Sequence, residues 1–105
     1  MTTNILIVDD HPAIRTTMKD VMQNEGFATE VAESGAKAID LYKRKKFDFV
    51  LMDMQMPEMD GYTATANLRE AGYKGPIVAL TAHTMATDRD KCIAAGCDDY
   101  AAKPI

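Results

Sequence analysis

Apolar runs, mostly β-branched or aliphatic, recur along the chain at residues 4–8 (NILIV), 27–31 (FATEV), 49–52 (FVLM), 77–80 (IVAL) and 100–102 (YAA). The most apolar of these do not alternate with polar residues, which is the pattern of strands buried on both faces of a parallel sheet. Between them the period changes. Ile14, Met18, Val21 and Met22 recur at helical spacing after Pro12, a residue suited to the first turn of a helix, and Gly26 stops that helix. Ser34 is placed to cap a second helix with apolar positions Ala38, Ile39, Leu41 and Tyr42. Residues 62–71 predict a third, with Ala64 and Leu68 facing inward and Gly72 beyond its end. Gly75 and Pro76 turn the chain, and a fourth helix spans about 85–95 before Gly96. Strands alternating with helical segments of this length predict an α/β fold of βαβ units with right-handed crossovers.

The chain has 105 residues and a formal net charge of −4, which fits one domain, residues 1–105, without repeats or linkers. The acidic balance argues against nucleic-acid binding through the domain itself, which needs a basic face. The one basic run, residues 43–46, reads as a solvated helix C-terminus favoured by the macrodipole. Cys92 and Cys97 lack CxxC spacing and read as buried or half-buried free thiols in a reducing cytosol. The first residues carry no secretory pattern, and no stretch approaches the ~20 apolar residues of a membrane span. The expectation is a soluble, cytoplasmic protein.

Four of the runs end in polar groups: Asp9 and Asp10 after the first, Asp53 after the third, Thr81 after the fourth and Lys103 after the fifth. Parallel strands share one direction, so all five side chains are expected at one edge of the sheet, where open α/β sheets bind ligands. Three carboxylates there repel strongly, since two unit charges 4 Å apart cost about 4 kcal/mol at an effective dielectric of 20. Either a proton or a cation must therefore be present. An all-carboxylate cluster with no His or Cys suits a hard divalent ion that takes oxygen ligands, and Mg²⁺ is the common choice where phosphate is also handled. Lys103 adds a mobile positive charge and Thr81 a hydroxyl. This constellation suits phosphoryl transfer to a carboxylate, with Asp53 attacking in line while the cations neutralise the phosphoryl oxygens.

These residues resemble the receiver domain of two-component response regulators, of which the chemotaxis response regulator is the minimal form. The resemblance runs from Ile5 to Ile105 and rests on VDD (residues 8–10), the D-x-x-M-P-x-M-D-G loop (53–61), TA (81–82) and KP (103–104). It implies a flavodoxin-like, doubly wound, five-stranded parallel sheet of order 2-1-3-4-5. It implies Asp53 as the acceptor of a phosphoryl group from a phosphohistidine, donated by a histidine kinase or phosphotransfer protein. Asp10, Asp53 and the backbone carbonyl of Gln55 are the implied Mg²⁺ ligands, with Asp9 acting mainly through bound water. Thr81 and Lys103 are the implied contacts of the phosphoryl oxygens, and the bond before Pro104 is implied to be cis. Tyr100 is the implied aromatic partner of Thr81 in a switch that repacks the fourth helix and fifth strand, the face for an output domain or partner protein. Gln55 and His83, two positions beyond Asp53 and Thr81, flank the path of attacking water and are expected to tune autodephosphorylation. His11 reads as a rim residue.

Receivers close with a further helix after KP, and this sequence stops at Ile105. Losing ~400 Å² of apolar burial would cost about 10 kcal/mol at 25 cal/mol per Å², comparable with the whole stability of a small domain. The expectation is a receiver truncated before its last helix. DDHPAIR resembles regulators that carry a DNA-binding domain, whereas the stretches around Asp53 and Thr81 look more like receivers attached to hybrid histidine kinases. A phosphatase of the haloacid-dehalogenase type also uses an Asp nucleophile and Mg²⁺ at a strand end. It needs an acid two residues on, where this chain has Gln55, which cannot serve as a general acid. A degenerate receiver acting only as a docking module finds little support, because all five edge positions are filled.

Overall fold

Strands and helices alternate along the described residues as β1 (Asn4–Val8), α1 (Pro12–Asn24), β2 (Ala28–Ala32), α2 (Gly35–Arg44), β3 (Phe49–Asp53), α3 (Gly61–Glu70), β4 (Ile77–Thr81), α4 (Ala86–Ala95) and β5 (Asp99–Ala102). The structure is a computed structural model that describes residues 3–54, 56, 59–81 and 86–102, with 81, 86–89 and 100–102 described by their backbone alone. The five strands are all parallel and lie in the order β2-β1-β3-β4-β5. This is the flavodoxin-like winding that the resemblance implied.

Two cores, one on each face of the sheet, explain the unbroken apolar runs. Leu6 and Val8 of β1, Val50 and Met52 of β3, and Ile77 and Ala79 of β4 pack on one face with Ala38 of α2, Ala64 and Leu68 of α3, and Cys92 of α4. The intervening residues Ile5, Ile7, Leu51 and Leu80 face the other way, against Met18, Ile14 and Met22 of α1. β1, β3 and β4 thus feed both cores, with successive side chains on opposite faces. Val21 departs from the helical pattern read in α1, because it is half exposed. Ile14, Met18 and Met22 form a stripe at i, i+4 and i+8, and Val21 falls on its flank.

The helix ends follow local chemistry. Pro12 opens α1, and Ser34 caps α2 by accepting from the Lys37 amide at 3.2 Å. Asp60 caps α3 by accepting from the Thr63 amide at 2.9 Å, so that helix starts at Gly61, one residue before the expected Tyr62. At the other end of α1, Gly26 adopts φ 92°, its amide donates to Gln23 O and the Phe27 amide to Met22 O. That paired closure needs a left-handed residue, and α3 and α4 repeat it at Gly72 and Gly96. It also accounts for β2 beginning one residue later than the apolar run, since the Phe27 amide is committed to the helix end. β5 begins at Asp99, which pairs with Val78.

The amino edge of the sheet is tied together by Arg69 of α3. Its guanidinium donates to Gly96 O from Nε and Nη2, to Tyr73 O and Gly75 O from Nη1, and to Asp98 Oδ2 at 2.8 Å. Asp98 Oδ2 also accepts from the Ile77 amide at 2.9 Å, so one carboxylate joins Arg69 to the start of β4. Nearby, burial pushes the Tyr73 hydroxyl up to about 12, against the opposing pull of Arg69. Burial likewise pushes the Cys97 thiol up to about 11, offset in part by its contact with Thr65. Cys92 and Cys97 are both buried thiols outside any disulfide, as read from the sequence.

Candidate functional site

At the carboxyl edge, β1 and β3 run side by side with Val8 opposite Met52. The next residues, Asp9 and Asp53, therefore emerge together. The Asp9 amide donates to Ala32 O at 3.0 Å and the Met54 amide to Leu80 O at 2.9 Å, so sheet hydrogen bonding continues to the point where each acid projects. Both acids are fully buried, and Asp10 is only a quarter exposed. A carboxylate oxygen from each of Asp9, Asp10 and Asp53, with a ring nitrogen of His11, falls in a cluster whose members lie within 4.8 Å of one another.

The surrounding backbone fixes the acids. His11 donates its amide to Asp9 Oδ1 at 2.9 Å, and Arg15, one turn into α1, donates from Nη1 to Asp9 O at 2.9 Å. The first turn of α3 presses on the end of β3: Gly61 donates its amide to Met54 O, and a Cβ at Gly61 would collide with Asp53 O and come within 2.6 Å of Met54 Cα. Only glycine permits that approach. Met54 and Met56 are buried in the core beneath this edge.

Like charges at this spacing cost about 3–4 kcal/mol per pair at an effective dielectric of 20. The donor set answers that cost in a particular way. Three carboxylates converging within one ion's reach match the oxygen coordination of a hard divalent cation, so the residues present fit Mg²⁺.

Of the residues singled out from the sequence, Asp9, Asp10 and Asp53 are brought together, with His11 at their rim. Thr81 closes β4 one residue beyond Leu80, the partner of Asp53, and Tyr100 lies in β5 opposite Ala79. Their side chains, and the whole of Gln55, His83 and Lys103, lie outside the described residues. Sequence reasoning missed Arg15 and the cap at Asp60. The spacing from His11 to Arg15, one helical turn, was the available signal for the first, and an Asp directly before the helix for the second. Among the described residues no helix is long and apolar enough to cross a membrane.

Comparison with known proteins agrees with this geometry. The chain is 36% identical over 101 residues to the sensor histidine kinase RcsC of Salmonella typhimurium, a match that covers 96% of this chain and 11% of that protein. The chain thus spans about a tenth of the length of that relative. Among solved structures, the chemotaxis response regulator CheY4 of Vibrio cholerae superposes with a TM-score of 0.94 at 29% identity, covering 100% of this chain and 89% of that one. The receiver domain of the Saccharomyces cerevisiae response regulator Ssk1, solved with the histidine phosphotransfer protein Ypd1, matches with a TM-score of 0.91 at 26% identity, covering 99% and 80%. Residues 5–105 match the response regulator receiver domain family along their whole length. Acids at the ends of β1 and β3, a 2-1-3-4-5 sheet and these likenesses lead to one conclusion: the chain belongs to the response regulator receiver domains, the phospho-accepting modules of two-component and phosphorelay signalling.

Proposed function

We propose that residues 1–105 act as a single receiver domain in which Asp53 takes a phosphoryl group from a phosphohistidine of a histidine kinase or phosphotransfer protein. A carboxylate oxygen of Asp53 attacks phosphorus in line, the P–N bond to the donor imidazole breaks, and the imidazole leaves with a proton taken up at the departing nitrogen. The product is an acyl phosphate on Asp53. Asp10, Asp53 and the Gln55 carbonyl hold Mg²⁺, with Asp9 acting through water. The bound ion supplies positive charge against the phosphoryl oxygens. Lys103 and Thr81 contact the same oxygens. The observation that carries this reading is the convergence of Asp9, Asp10 and Asp53 at the carboxyl edge.

The acyl phosphate draws the Thr81 hydroxyl toward itself, and the Tyr100 ring turns into the space left. The repacked face of α4 and β5 then binds an output domain or partner protein, so the catalysis is self-directed and its output is a change of partner. Gln55 and His83 set how fast water removes the phosphoryl group. The structure of Ssk1 with Ypd1 supports a phosphotransfer protein as the class of donor.

The test is incubation of the protein with Mg²⁺ and a small phosphodonor, read by intact mass. A single persistent adduct, absent in Asp53→Asn, is the expected result. Continuous release of phosphate without a lasting adduct would favour a phosphatase, and no adduct in the wild type would leave only a docking role.

A further inference from the structure

The acidic cluster contains one group that a hard-ion site does not require, the imidazole of His11. Its Nδ1 lies 3.1 Å from Asp10 Oδ1 and 3.6 Å from Asp9 Oδ1. The ring is held there by the backbone. His11 occupies the cap position of α1 with extended φ −88° and ψ 115°, a conformation that the following Pro12 enforces, and its amide is bonded to Asp9 Oδ1. The ring side of the residue is 63% exposed, which leaves the nitrogen able to reach the cluster from its rim without a rearrangement of the core.

Spacing and donor chemistry point the same way. Nδ1 and Asp10 Oδ1 lie at hydrogen-bonding distance, 3.1 Å, and two donors side by side on an octahedral ion with bonds of ~2.1 Å are likewise about 3 Å apart. Imidazole nitrogen contributes little to a Mg²⁺ site, whereas affinity for nitrogen donors climbs steeply toward cobalt, nickel and zinc. A fourth, nitrogenous ligand therefore changes which ions the cluster prefers.

We propose that His11 Nδ1 joins the acids of the cluster as a direct ligand when a borderline first-row divalent ion occupies it, strengthening the binding of Co²⁺ or Zn²⁺ and not that of Mg²⁺. This rests on the reading of the acidic cluster as a cation site. His11 then adds to the affinity for Co²⁺ and Zn²⁺, and Mg²⁺ binding does not depend on it.

The experiment titrates the protein, wild type and His11→Phe, with Co²⁺ and separately with Mg²⁺. Cobalt binding is followed by its visible absorption, magnesium binding by calorimetry, and the His11 ring by its nitrogen resonances on addition of Zn²⁺. Partners one shell further out are already worth about 10–100-fold in metal affinity, so loss of a direct ligand is expected to weaken Co²⁺ binding at least about tenfold. Magnesium affinity is expected to be unchanged, and the His11 resonances to shift with Zn²⁺. Equal Co²⁺ affinity in both proteins, with Mg²⁺ still bound, overturns the role of His11 and leaves the cation site standing. Failure of both ions to bind either protein overturns the site and the inference together.

Discussion

The guanidinium of Arg69 donates twice to one carbonyl oxygen, that of Gly96, at 2.9 and 2.8 Å. It thereby fastens the closing turn of α4 to α3, while its other donors reach Tyr73 O and Gly75 O in the turn before β4. A planar fork with five donors can satisfy several carbonyls at once, and a lysine ammonium cannot reproduce that geometry. Hydrogen bonds from a charged donor contribute roughly 1.5–3 kcal/mol each and are not additive, so Arg69→Lys is expected to cost about 2–4 kcal/mol. Urea unfolding measures this directly. A midpoint equal to wild type would remove the structural role given to the fork.

Gly61 carries a second prediction. Alanine there would put a methyl group against Asp53 O and Met54 Cα, and neither backbone can yield without moving the acid. Forcing an extra carbon into a packed site costs about 1–3 kcal/mol. Gly61→Ala is expected to lose that much stability and, because the end of β3 shifts, to slow adduct formation with a small phosphodonor. Full phosphorylation at an unchanged rate would show that Asp53 is insulated from the start of α3.

Alkaline pH probes the buried titratable groups at the opposite edge. Burial raises Tyr73 from 10.0 to about 12 and Cys97 from 9.0 to about 11. The unfolded chain gives up these protons first as pH rises, so it binds fewer protons than the folded chain and stability falls. The contribution is intact below about pH 9 and is lost between pH 9 and 12, with a decline on the order of 3 kcal/mol. Unfolding midpoints across that range, compared with a Tyr73→Phe, Cys97→Ser double variant, are expected to show a shallower slope in the variant.

Stability should also respond to magnesium through the acids. Asp53→Asn removes one of the clustered charges, which is expected to stabilise the metal-free chain by about 1–3 kcal/mol. Adding Mg²⁺ to a hundred times its dissociation constant is expected to raise wild-type stability by about 2.7 kcal/mol, and to do less for the variant. Melting temperatures with and without MgCl₂ check both halves. A wild type indifferent to the ion, or a variant less stable than the ion-free wild type, contradicts the electrostatic account.

What the chain reveals before folding differs by kind of contact. The strands were legible because residues such as Leu6 and Ile7 feed two cores and so leave no polar gap in the run. The acids at 9, 10 and 53 were legible because parallel strands deliver their ends to one edge, and the cluster follows from direction alone. Arg69 was not legible. Apart from Asp98, its partners are carbonyl oxygens of Tyr73, Gly75 and Gly96, and every residue has one, so no letter in the sequence marks them. Val21 misled for a related reason, since a period of 3.6 places it close to the apolar stripe without saying where the stripe ends.

The amide bonds that lock Asp9 and Met54 to their neighbouring strands mean that the acids ride on the sheet and take no position from the turns at its far rim. Substitutions at the exposed Lys46 and Lys74 of those turns should therefore leave the reactive carboxylates at their spacing. The placing of the acids and the closing of the far rim are thereby carried by opposite ends of one sheet.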